Sequence, residues 1–392
     1  MVLVVKNAEV YGPDHIGRRD IMMAGGIIIA IDEHIDAGSL PGDVQVVDAE
    51  GLVAAPGLID GHVHAIGGGG EGGYATQTPP LSVATCLSAG VTTVVGTLGT
   101  DGVTRSMEAL VAKVYALRED GISAYCYTGS YRVPPRTITG DAMKDIMMID
   151  PIIGIGEVAI SDHRSSIPTG AELSRLASEA RIGGMLSGKA GIVNCHIGDA
   201  PAGLDPLEAI VMSGELPRSQ FLPTHCNRSA RVFKSALSWA QAGGFADFTT
   251  STVRNHMSDG ELHASHALRL FIDAGIPLDR ITFTSDGQGS LPRFDDAGVF
   301  TGLGLGTSAS LWEAAREAIL VEGISLDMAL RPVTSSPATI LRLRGKGRLD
   351  VGASADVILL DSKDAYRLAA TIAGGRVLMQ NGTVLVKERF EA

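Results

Sequence analysis

Residues 58–64 read Leu-Ile-Asp-Gly-His-Val-His, a pattern that predicts a buried β-strand ending in two histidines. Side chains two positions apart on a strand point to the same face, so His62 and His64 can bind one metal ion. An H-x-H pair alone is a weak signal, because two histidines packed in a core or lying at the surface give the same spacing. The rest of the chain has to decide what this strand belongs to.

Seven more strand-like runs follow, separated by helix-length amphipathic segments, which is typical of a parallel α/β fold. The eight predicted strands are Leu58–His64, Thr92–Thr97, Ala124–Thr128, Ile152–Ile160, Ile192–Ile197, Phe221–His225, Ala246–Thr250 and Ile281–Ser285. Helical patterns between them include Arg105–Glu119, Ala171–Met185, Ala230–Gln241 and Glu261–Ala274. Eight such units favour a (β/α)8 TIM barrel with right-handed crossovers over the alternative, an open doubly wound sheet.

Short strands flank this region on both sides, with the texture of an antiparallel all-β unit. They are Leu3–Val5, Ile21–Met23, Ile27–Ile31 and Val44–Val47 before it, and Val357–Leu360, Leu368–Ile372, Arg376–Met379 and Thr383–Val386 after it. We expect both chain ends to build one small β-sandwich domain, over residues 1–55 and 347–392. The catalytic barrel would then cover residues 56–346 as an insertion.

The composition of the 392 residues excludes some classes of partner. A net charge of −12 argues against general affinity for nucleic acid or for anionic membrane surfaces. No apolar run approaches the roughly 20 residues that span a bilayer. Lys6 and Glu9 follow the apolar Met1–Val5 at once, so we expect no signal peptide.

The four cysteines lack the close spacing of a zinc knuckle or a redox pair. They are Cys86, Cys126, Cys195 and Cys226. In a chain of this length they are expected to stay reduced, which favours a cytoplasmic location. Cys195 and Cys226 each adjoin a histidine on a predicted strand, so they should pack outward against helices while the histidines point inward.

Ligand-type side chains stand at the ends of five predicted strands, where a barrel carries its active site. They are His62 and His64 on the first strand, Glu157 on the fourth, His196 on the fifth, His225 on the sixth and Asp286 on the eighth. Imidazole and carboxylate are suitable ligands for zinc. Their concentration at one end of the barrel predicts a metal site.

Several motifs carry a family resemblance. Residues 56–64, Pro-Gly-Leu-Ile-Asp-Gly-His-Val-His, resemble the first-strand signature of the amidohydrolase superfamily, and Gly347–Val357 resembles that superfamily's usual return into the β-sandwich. A narrower resemblance, to isoaspartyl dipeptidases, rests on Gly67-Gly68-Gly69-Gly70-Glu71, Gly129-Ser130-Tyr131, Ser161-Asp162-His163-Arg164, Thr224-His225-Cys226-Asn227-Arg228 and Ser285-Asp286-Gly287-Gln288-Gly289-Ser290. These motifs extend over the whole predicted barrel.

The resemblance implies two zinc ions, although the same ligands would also accept other divalent transition metals such as manganese or cobalt. One ion would be bound by His62, His64 and Asp286, and the other by His196 and His225. A side chain of the fourth strand would bridge both ions together with a hydroxide. Ions about 3.5–4 Å apart can share a water whose pKa falls to about 7.

The fourth strand departs from the family pattern. Well-known relatives bridge the metals with a carboxylated lysine, whereas this strand contains no lysine and has Glu157 at the matching place. A glutamate is shorter, so the backbone must approach the metals more closely. Gly156 suits a strand bulge or kink that would allow this. We therefore predict that Glu157 bridges both ions; the alternative is a glutamate that merely points into the barrel of a mononuclear site.

Two side chains are expected to carry the reaction. Asp286 would accept the proton of the attacking hydroxide and pass it to the departing amine. Tyr131, at the end of the third strand, would donate a hydrogen bond to the developing oxyanion. The alternative for Tyr131 is a packed aromatic at the barrel rim.

Substrate recognition needs groups of both charges. Glu71 resembles the family residue that pairs with the substrate's α-amino group, and its loop lacks the Gly-Lys-Ser/Thr ending of a phosphate cradle. Arg164 and Arg228 follow metal-ligand strands, and each can bind a carboxylate with two parallel hydrogen bonds. Further hydrogen-bonding neighbours are predicted at Gly69, Thr100 and Ser290. Glu261, His263 and His266 have ligand-like spacing but are assigned to the solvated face of an outer helix.

Together these features predict a binuclear zinc dipeptidase that hydrolyses β-aspartyl (isoaspartyl) dipeptides to aspartate and an amino acid. The nearest alternative is an amidohydrolase for cyclic amides, of the dihydroorotase or hydantoinase kind, whose substrates offer no free ammonium to Glu71. A third is a non-catalytic scaffold, but such proteins lose ligands that this chain retains. The expected partner is a small dipeptide, not nucleic acid or membrane, and the resemblance implies a homo-oligomer.

Overall fold

A computed structural model of the protein describes residues 1–251, 260–294 and 300–386. Both ends of the described chain contribute to one nine-stranded sheet. Its strands are β1 (Val2–Tyr11), β2 (His15–Ala24), β3 (Ile27–Asp32), β4 (Val44–Asp48) and β5 (Leu52–Pro56), joined by β16 (Val357–Asp361), β17 (Arg367–Ala373), β18 (Arg376–Gln380) and β19 (Thr383–Val384).

The terminal sheet is mixed rather than antiparallel throughout. Its order is β19-β18-β17-β16-β5-β1-β2-β3, with β4 also paired to β1. The expectation of an all-antiparallel unit is wrong for β4 and β5, which run parallel to β1 because longer connections return the chain in the same direction. Strand β5 was not predicted, yet it joins the two ends by pairing antiparallel with β16. A two-layer sandwich remains a prediction.

The central part of the chain is a curled parallel sheet. Its strands are β6 (Leu58–Val63), β7 (Val91–Gly96), β8 (Ser123–Thr128), β9 (Ile152–Ile160), β10 (Ile192–Ile197), β11 (Phe221–Thr224), β12 (Ala246–Thr249) and β13 (Ile281–Thr284). Strands β6 to β11 pair in sequence order, and β12 pairs with β13. Cys226 N donates to Asp247 O beside the β11 edge, and Val63 bridges Gly287 in parallel at the β6 edge. All eight predicted strands are confirmed, and the arrangement is consistent with a TIM barrel.

Ten α-helices lie among the described residues. They are α1 (Val83–Ser88), α2 (Met107–Glu119), α3 (Ala142–Met148), α4 (Gly170–Ser187), α5 (Asp205–Val211), α6 (Ala230–Gln241), α7 (Ala264–Asp273), α8 (Ala309–Leu320), α9 (Leu326–Leu330) and α10 (Ser335–Ile340). Sequence chemistry sets their bounds: Thr169 and Glu172 form a capping box at the start of α4, and Ser229 accepts from Val232 N at the start of α6. No helix in this described part is long and apolar enough to cross a membrane.

The main core lies between the parallel strands and the helices. Helix α6 contributes Phe233, Ala236 and Trp239, spaced at three-residue intervals that keep them on one buried face. Cys195 and Cys226 belong to the same core, as expected for residues that alternate with inward-facing histidines. A hairpin of β14 (Ser290–Phe294) and β15 (Phe300–Leu305) follows the last parallel strand. The carboxyl ends of the parallel strands therefore remain the place where polar groups collect.

Candidate active site

The six predicted ligands all come together at the carboxyl ends of the parallel strands, and all are buried. His62, His64 and Asp286 offer ligand atoms that lie within 4.8 Å of one another. His64 Nε2 lies 3.1 Å from Asp286 Oδ1, and His62 Nε2 lies 3.6 Å from the same oxygen. This cluster has the composition and spacing of the first predicted metal site.

The second cluster is centred on Glu157. Its compact set of ligand atoms comprises His62, Glu157 and His225, whereas the resemblance had implied His196 with His225. His196 lies close to it all the same: its Nδ1 atom is 3.2 Å from Glu157 Oε2, and His225 Nε2 is 3.8 Å from that oxygen. The two rings flank one carboxylate oxygen, with centroids 4.5 Å apart.

A β-bulge brings Glu157 to this position. Strand β9 places Gly156 and Glu157 opposite the single residue Asn194 of β10, where the register between the strands shifts. A Cβ atom on Gly156 would lie 2.8 Å from the Cβ atom of Asn194, so only glycine fits. The predicted bulge is confirmed. Glu157 Oε1 is 3.6 Å from His64 Nε2, and Oε2 is 3.4 Å from His62 Nε2, so the carboxylate faces both histidines of β6.

Two other predicted ligands lie in an uncommon backbone conformation just beyond their strands. His225 has a φ of 64° and Asp286 a φ of 52°, in the left-handed region that residues with a Cβ atom rarely adopt. Asp60 supports the second turn: its carboxylate accepts from Ser285 N at 3.0 Å and from the Ser285 hydroxyl at 2.5 Å. These bonds fix the backbone immediately before Asp286.

The electrostatics of the site favour added positive charge. Burial would raise the pKa of Glu157, but the charge of His62 and the contacts of His196 and His225 hold that pKa well below its usual range. Burial alone would lower the pKa of His62. The neighbouring carboxylates of Glu157 and Asp286 outweigh this effect and raise the pKa of His62 to about 10. The Glu157 carboxylate therefore stays ionised in a buried space, where it favours a positive charge beside it.

Several buried polar atoms at this point have no hydrogen-bond partner. They are His62 Nε2, His64 Nδ1, Glu157 Oε1 and Asp286 Oδ1. Buried polar atoms are otherwise nearly always hydrogen-bonded, so convergent orphans indicate a missing partner. Imidazole nitrogens beside carboxylate oxygens fit divalent transition metals. The residues present therefore suit the implied cofactor.

Hydrogen bonds behind the rings set their orientation. His62 Nδ1 lies 3.1 Å from Asn194 Oδ1, and His225 Nδ1 lies 2.6 Å from Thr249 Oγ1. Each contact leaves Nε2 facing the carboxylates, as is usual for metal-binding histidines. Asn194 and Thr249 were missed in the sequence, because a polar residue inside a strand carries no signal of the ring it will contact.

An open cleft adjoins the clusters. All the predicted substrate-binding residues line it, namely Gly69, Glu71, Thr100, Arg164, Arg228 and Ser290, together with Tyr131 and Asp286. Glu71 is the anion among the predicted substrate-binding residues. Its Oε1 atom accepts from Thr100 Oγ1 at 3.0 Å, and its Oε2 atom accepts from Ser290 Oγ at 3.2 Å. Arg164 Nη1 approaches Glu71 Oε1 to 3.4 Å.

Carboxylate binding by Arg164 remains a prediction, but the Nε/Nη2 edge of its guanidinium faces Asp162 rather than the cleft. That edge is already used, because Nε donates to Asp162 Oδ1 at 2.9 Å and Nη2 donates to Asp162 Oδ2 at 2.8 Å. Only Nη1 faces Glu71 and the cleft. Arg228 Nη1 lies 3.1 Å from His196 Nε2 and 3.4 Å from Ile197 O. The buried Asp162 was not predicted as a site residue.

Tyr131 is buried and its hydroxyl lies 2.8 Å from His196 Nδ1. The Arg164 guanidinium lies 5.3 Å from the centre of its ring. Burial, with the nearby charge of Glu157, raises the Tyr131 pKa well above its ordinary value, so the hydroxyl keeps its proton. A protonated phenol at this place can donate a hydrogen bond into the cleft.

Arg105 holds the glycine-rich loop and was also missed. Its Nε atom donates to Gly67 O at 2.6 Å, and its Nη2 atom donates to Gly68 O at 2.9 Å. A Cβ atom on Gly68 would lie 2.9 Å from Cγ of His64, so the loop packs directly against a ligand. The buried guanidinium thereby fixes the segment that carries Glu71.

His263 and His266, both assigned to the solvated face of an outer helix, differ in exposure. His263 is buried and caps α7, where its ring accepts from Ser265 N, so the expectation of a solvated position is wrong for it. His266 is half-exposed, with Nδ1 3.2 Å from Glu322 Oε2. Neither residue lines the cleft.

Solved structures were compared with this chain. The β-aspartyl dipeptidase of Fervidobacterium islandicum AW-1, in complex with the dipeptide β-Asp-Leu, is 43% identical, with a TM-score of 0.92, over 100% of this chain and 99% of that one. A second structure of a β-aspartyl dipeptidase from the same organism is 40% identical over 100% of both chains, with a TM-score of 0.90. The chain belongs to the β-aspartyl dipeptidase family. A D-hydantoinase, 16% identical with a TM-score of 0.68 over 99% of this chain and 97% of that one, shares the fold.

Sequence relatives match the chain more weakly. A dihydroorotase of Streptococcus thermophilus is 45% identical over 65 residues, which span 16% of this chain and only 14% of that enzyme. An allantoinase of Enterococcus faecalis is 24% identical over 433 aligned positions, covering 94% of this chain and 88% of that enzyme. No protein-family model matches the chain. These hydrolytic relatives support an enzyme and a small-molecule substrate.

Proposed function

We propose that the protein is a metal-dependent dipeptidase that hydrolyses β-aspartyl (isoaspartyl) dipeptides into aspartate and an amino acid. The observation that carries this proposal is the position of Glu71 in the cleft. Its carboxylate lies beside Arg164 and is held by two hydroxyl donors, in the same cleft as His64 and Asp286. An anion beside a cation suits a substrate group with a free ammonium and a free carboxylate on one carbon.

Two divalent ions, zinc by resemblance, would be held by the buried clusters. His62, His64 and Asp286 would bind one, His196 and His225 the other, and Glu157 would bridge them. When bound, such ions supply a hydroxide at neutral pH and polarise the scissile carbonyl. The orphaned His62 Nε2 and Glu157 Oε1 and the positions of both Glu157 oxygens support this assignment.

Asp286 and Tyr131 would act on the reacting atoms. Contacts with His64 and the charges of neighbouring imidazoles hold the pKa of Asp286 below its usual range despite burial, so the carboxylate is free to accept a proton. It would take a proton from the attacking hydroxide and transfer it to the departing amine nitrogen. Tyr131, whose phenol stays protonated, would donate to the oxygen on which negative charge develops.

The cleft residues would recognise the aspartyl part of the substrate. Glu71 would bind its α-ammonium, replacing the contact from Arg164 Nη1. The Nη1 atom of Arg164 and the guanidinium of Arg228 would bind carboxylate groups. The hydroxyls of Thr100 and Ser290 orient Glu71, and Gly69 provides backbone space beside Ser290.

One comparison of substrates tests the function. We expect purified, zinc-loaded protein to hydrolyse β-Asp-Leu and to leave the α-linked Asp-Leu and a hydantoin largely intact. The release of free leucine, measured by an amino-acid assay, reports hydrolysis of the two dipeptides, and formation of the N-carbamoyl amino acid, measured by chromatography, reports hydrolysis of the hydantoin. Preference for the hydantoin would identify a cyclic amidase instead, and failure to hydrolyse any of the three after zinc loading would favour a non-catalytic scaffold.

We also propose the domain division 1–55 and 347–392 against 56–346, with the smaller unit forming a β-sandwich; residues 387–392 lie outside the described part. A separate core cluster, including Leu3, Val10 and Ile372, supports it.

Exposed Met148 and Leu186 on the contacting helices α3 and α4 support a homo-oligomer, which light scattering would detect. Four free, buried cysteines support a cytoplasmic location.

A further inference from the structure

We propose that Asp162 is a positioning residue that orients two groups at once: the imidazole of His196 for metal binding and the guanidinium of Arg164 for substrate recognition. The inference rests on the proposed function, since it concerns how that site is held in a competent geometry. No role for Asp162 follows from its place in the sequence motif alone. The contacts of its two carboxylate oxygens carry the argument.

Asp162 is almost completely enclosed and fully engaged. Its side chain is 3% exposed. Oδ1 accepts from the backbone N of Arg164 at 2.7 Å and from Arg164 Nε at 2.9 Å, while Oδ2 accepts from Arg164 Nη2 at 2.8 Å. The same Oδ2 lies 3.0 Å from His196 Nε2. Gly198 packs so closely that a Cβ atom there would lie 2.5 Å from the Asp162 Cβ.

The contact with His196 decides which ring nitrogen can face a cation. His196 Nδ1 points at Glu157 Oε2, so it can bind a cation beside that oxygen only if the hydrogen of the neutral ring sits on Nε2. An Nε2–H needs an acceptor. Asp162 Oδ2, at 3.0 Å, is the nearer of two acceptors in contact with it and the charged one, in the carboxylate–histidine arrangement common at metal sites; the other is the Tyr131 hydroxyl at 3.3 Å.

Two neighbouring cations make this carboxylate necessary. Arg164 Nη2 and Arg228 Nη1 each lie 3.1 Å from His196 Nε2. Guanidinium nitrogens are donors only, so by themselves they would favour a bare Nε2 and move the ring hydrogen to Nδ1. That tautomer could not bind a cation through Nδ1. The negative charge and the lone pairs of Asp162 instead stabilise the tautomer of His196 that carries its hydrogen on Nε2.

The contact with Arg164 fixes the direction of its remaining donor. Because the Nε and Nη2 atoms are held by Asp162, Nη1 is left facing Glu71 Oε1 at 3.4 Å. The Asp162 carboxylate therefore fixes the orientation of the His196 ring toward the metal cluster and of the Arg164 guanidinium toward the cleft. Metal loading and carboxylate recognition should depend on it together.

Two substitutions separate this role from simple packing. In Asp162→Asn, the rigid backbone N–H of Arg164 favours the amide oxygen at the Oδ1 place. The NH2 group then takes the Oδ2 place, where it faces His196 Nε2 and Arg164 Nη2. The variant replaces the needed acceptor with a donor. Asp162→Ala removes the acceptor without adding a donor. We therefore expect zinc affinity to fall in the order wild type, Ala, Asn, with the Asn variant weakened about 10- to 100-fold.

The measurement is zinc competition against a chelator, with zinc per chain determined by elemental analysis and folding checked by thermal unfolding of each metal-free protein. A packing role predicts the reverse order, because Asn preserves the shape of Asp and Ala leaves a cavity. An Asn variant that binds zinc as tightly as the Ala variant, or more tightly, overturns the proposal.

Asp145→Asn is the matched control. Asp145 is a buried carboxylate that accepts from Thr128 Oγ1 at 2.6 Å and from Thr139 Oγ1 at 2.7 Å, outside the cleft. Its amide variant should lose stability while retaining zinc affinity. Arg164→Ala should retain zinc but raise KM for β-Asp-Leu. Wild-type protein that binds zinc yet hydrolyses no β-aspartyl dipeptide defeats the proposed function alone, and wild-type protein that binds no zinc defeats both.

Discussion

Gly156 lies against Asn194 so closely that a Cβ atom on Gly156 would come within 2.8 Å of the Asn194 Cβ. The bulge that points Glu157 into the site depends on this approach. We expect Gly156→Ala to lower the free energy of unfolding by about 1–3 kcal/mol through overpacking. It should also reduce bound metal, because Glu157 moves with its neighbour. Thermal unfolding and elemental analysis measure the two effects.

Gly170→Ala is the control for that substitution. Gly170 begins α4, and a Cβ atom there would meet nothing within 4 Å. Alanine at this exposed helical position should leave metal content unchanged and stability unchanged or slightly raised. Equal effects of the two substitutions would show that the Gly156 contact has no special role.

Glu157 should make the site independent of carbon dioxide. Since no carbamate has to form, zinc loading of the metal-free protein and the resulting activity should be the same with and without bicarbonate. Glu157→Gln should lose one or both ions, because a neutral amide is a poor bridge. Zinc per chain is the measurement. Glu172→Gln, which alters a carboxylate of the distant α4 capping box, should keep its full metal content. Two ions and full activity in Glu157→Gln would remove Glu157 from the site.

Glu71 should confer selectivity for substrates with a free α-ammonium. We expect Glu71→Gln to lower kcat/KM for β-Asp-Leu by roughly 10- to 150-fold, the equivalent of about 1.5–3 kcal/mol for a hydrogen bond between charged groups. N-succinyl-leucine, which has the same amide but no ammonium, is the matched substrate. Its slow turnover should not fall in the variant. A parallel loss on both substrates would mean that Glu71 supports the fold of the loop rather than the ammonium.

Tyr131→Phe should lower kcat about 10²- to 10³-fold if the hydroxyl stabilises an oxyanion. The phenol donates only while protonated, and burial raises its pKa above the usual 10. Because the phenol therefore loses its proton only above pH 10, ionisation of Tyr131 cannot lower the activity as the pH rises toward 10. The wild-type and variant profiles of log kcat should therefore run parallel between pH 6 and 9.5. Tyr74→Phe, at an exposed position in the Glu71 loop, should have wild-type kcat.

Arg105 should matter for both stability and binding. Arg105→Met leaves the carbonyl oxygens of Gly67 and Gly68 without their buried donors, which costs about 1–3 kcal/mol of unfolding free energy. The loop would also loosen, so KM for β-Asp-Leu should rise more than kcat falls. Arg348→Met, at an exposed ion pair with Asp350, should change stability by less than about 0.5 kcal/mol. Similar melting temperatures for the two variants would contradict a stabilising role for the hydrogen bonds from Arg105 to the loop.

The eight parallel strands and the six candidate ligands could be predicted from sequence because each signal is local. Strand period, Gly-rich breaks and the residue that follows a buried run lie within a few positions of one another, as for His62 and His64. The bulge at Gly156 could be inferred because Glu157 is shorter than the side chain it replaces.

The remaining features depend on contacts between distant parts of the chain. Asn194 and Thr249 are polar residues inside strands, and only the closed arrangement brings them behind His62 and His225. Arg105 begins as one more charged residue before a helix, and its loop partners lie 37 and 38 positions away. The directions of β4 and β5 were missed because strand composition does not encode which neighbour a strand will pair with.

The antiparallel pairing of Pro56 with Val357 places the two connections to the parallel-strand region side by side. That region is thus a very long loop whose ends are fastened by the terminal sheet, and keeping those ends together in the unfolded chain would cost a large closure entropy. A peptide linker joining the native termini, with new ends opened in an outer loop, should therefore preserve the site. Deleting β16 to β19 should instead remove the pairing that holds the two connections together, so that β13 separates from β6.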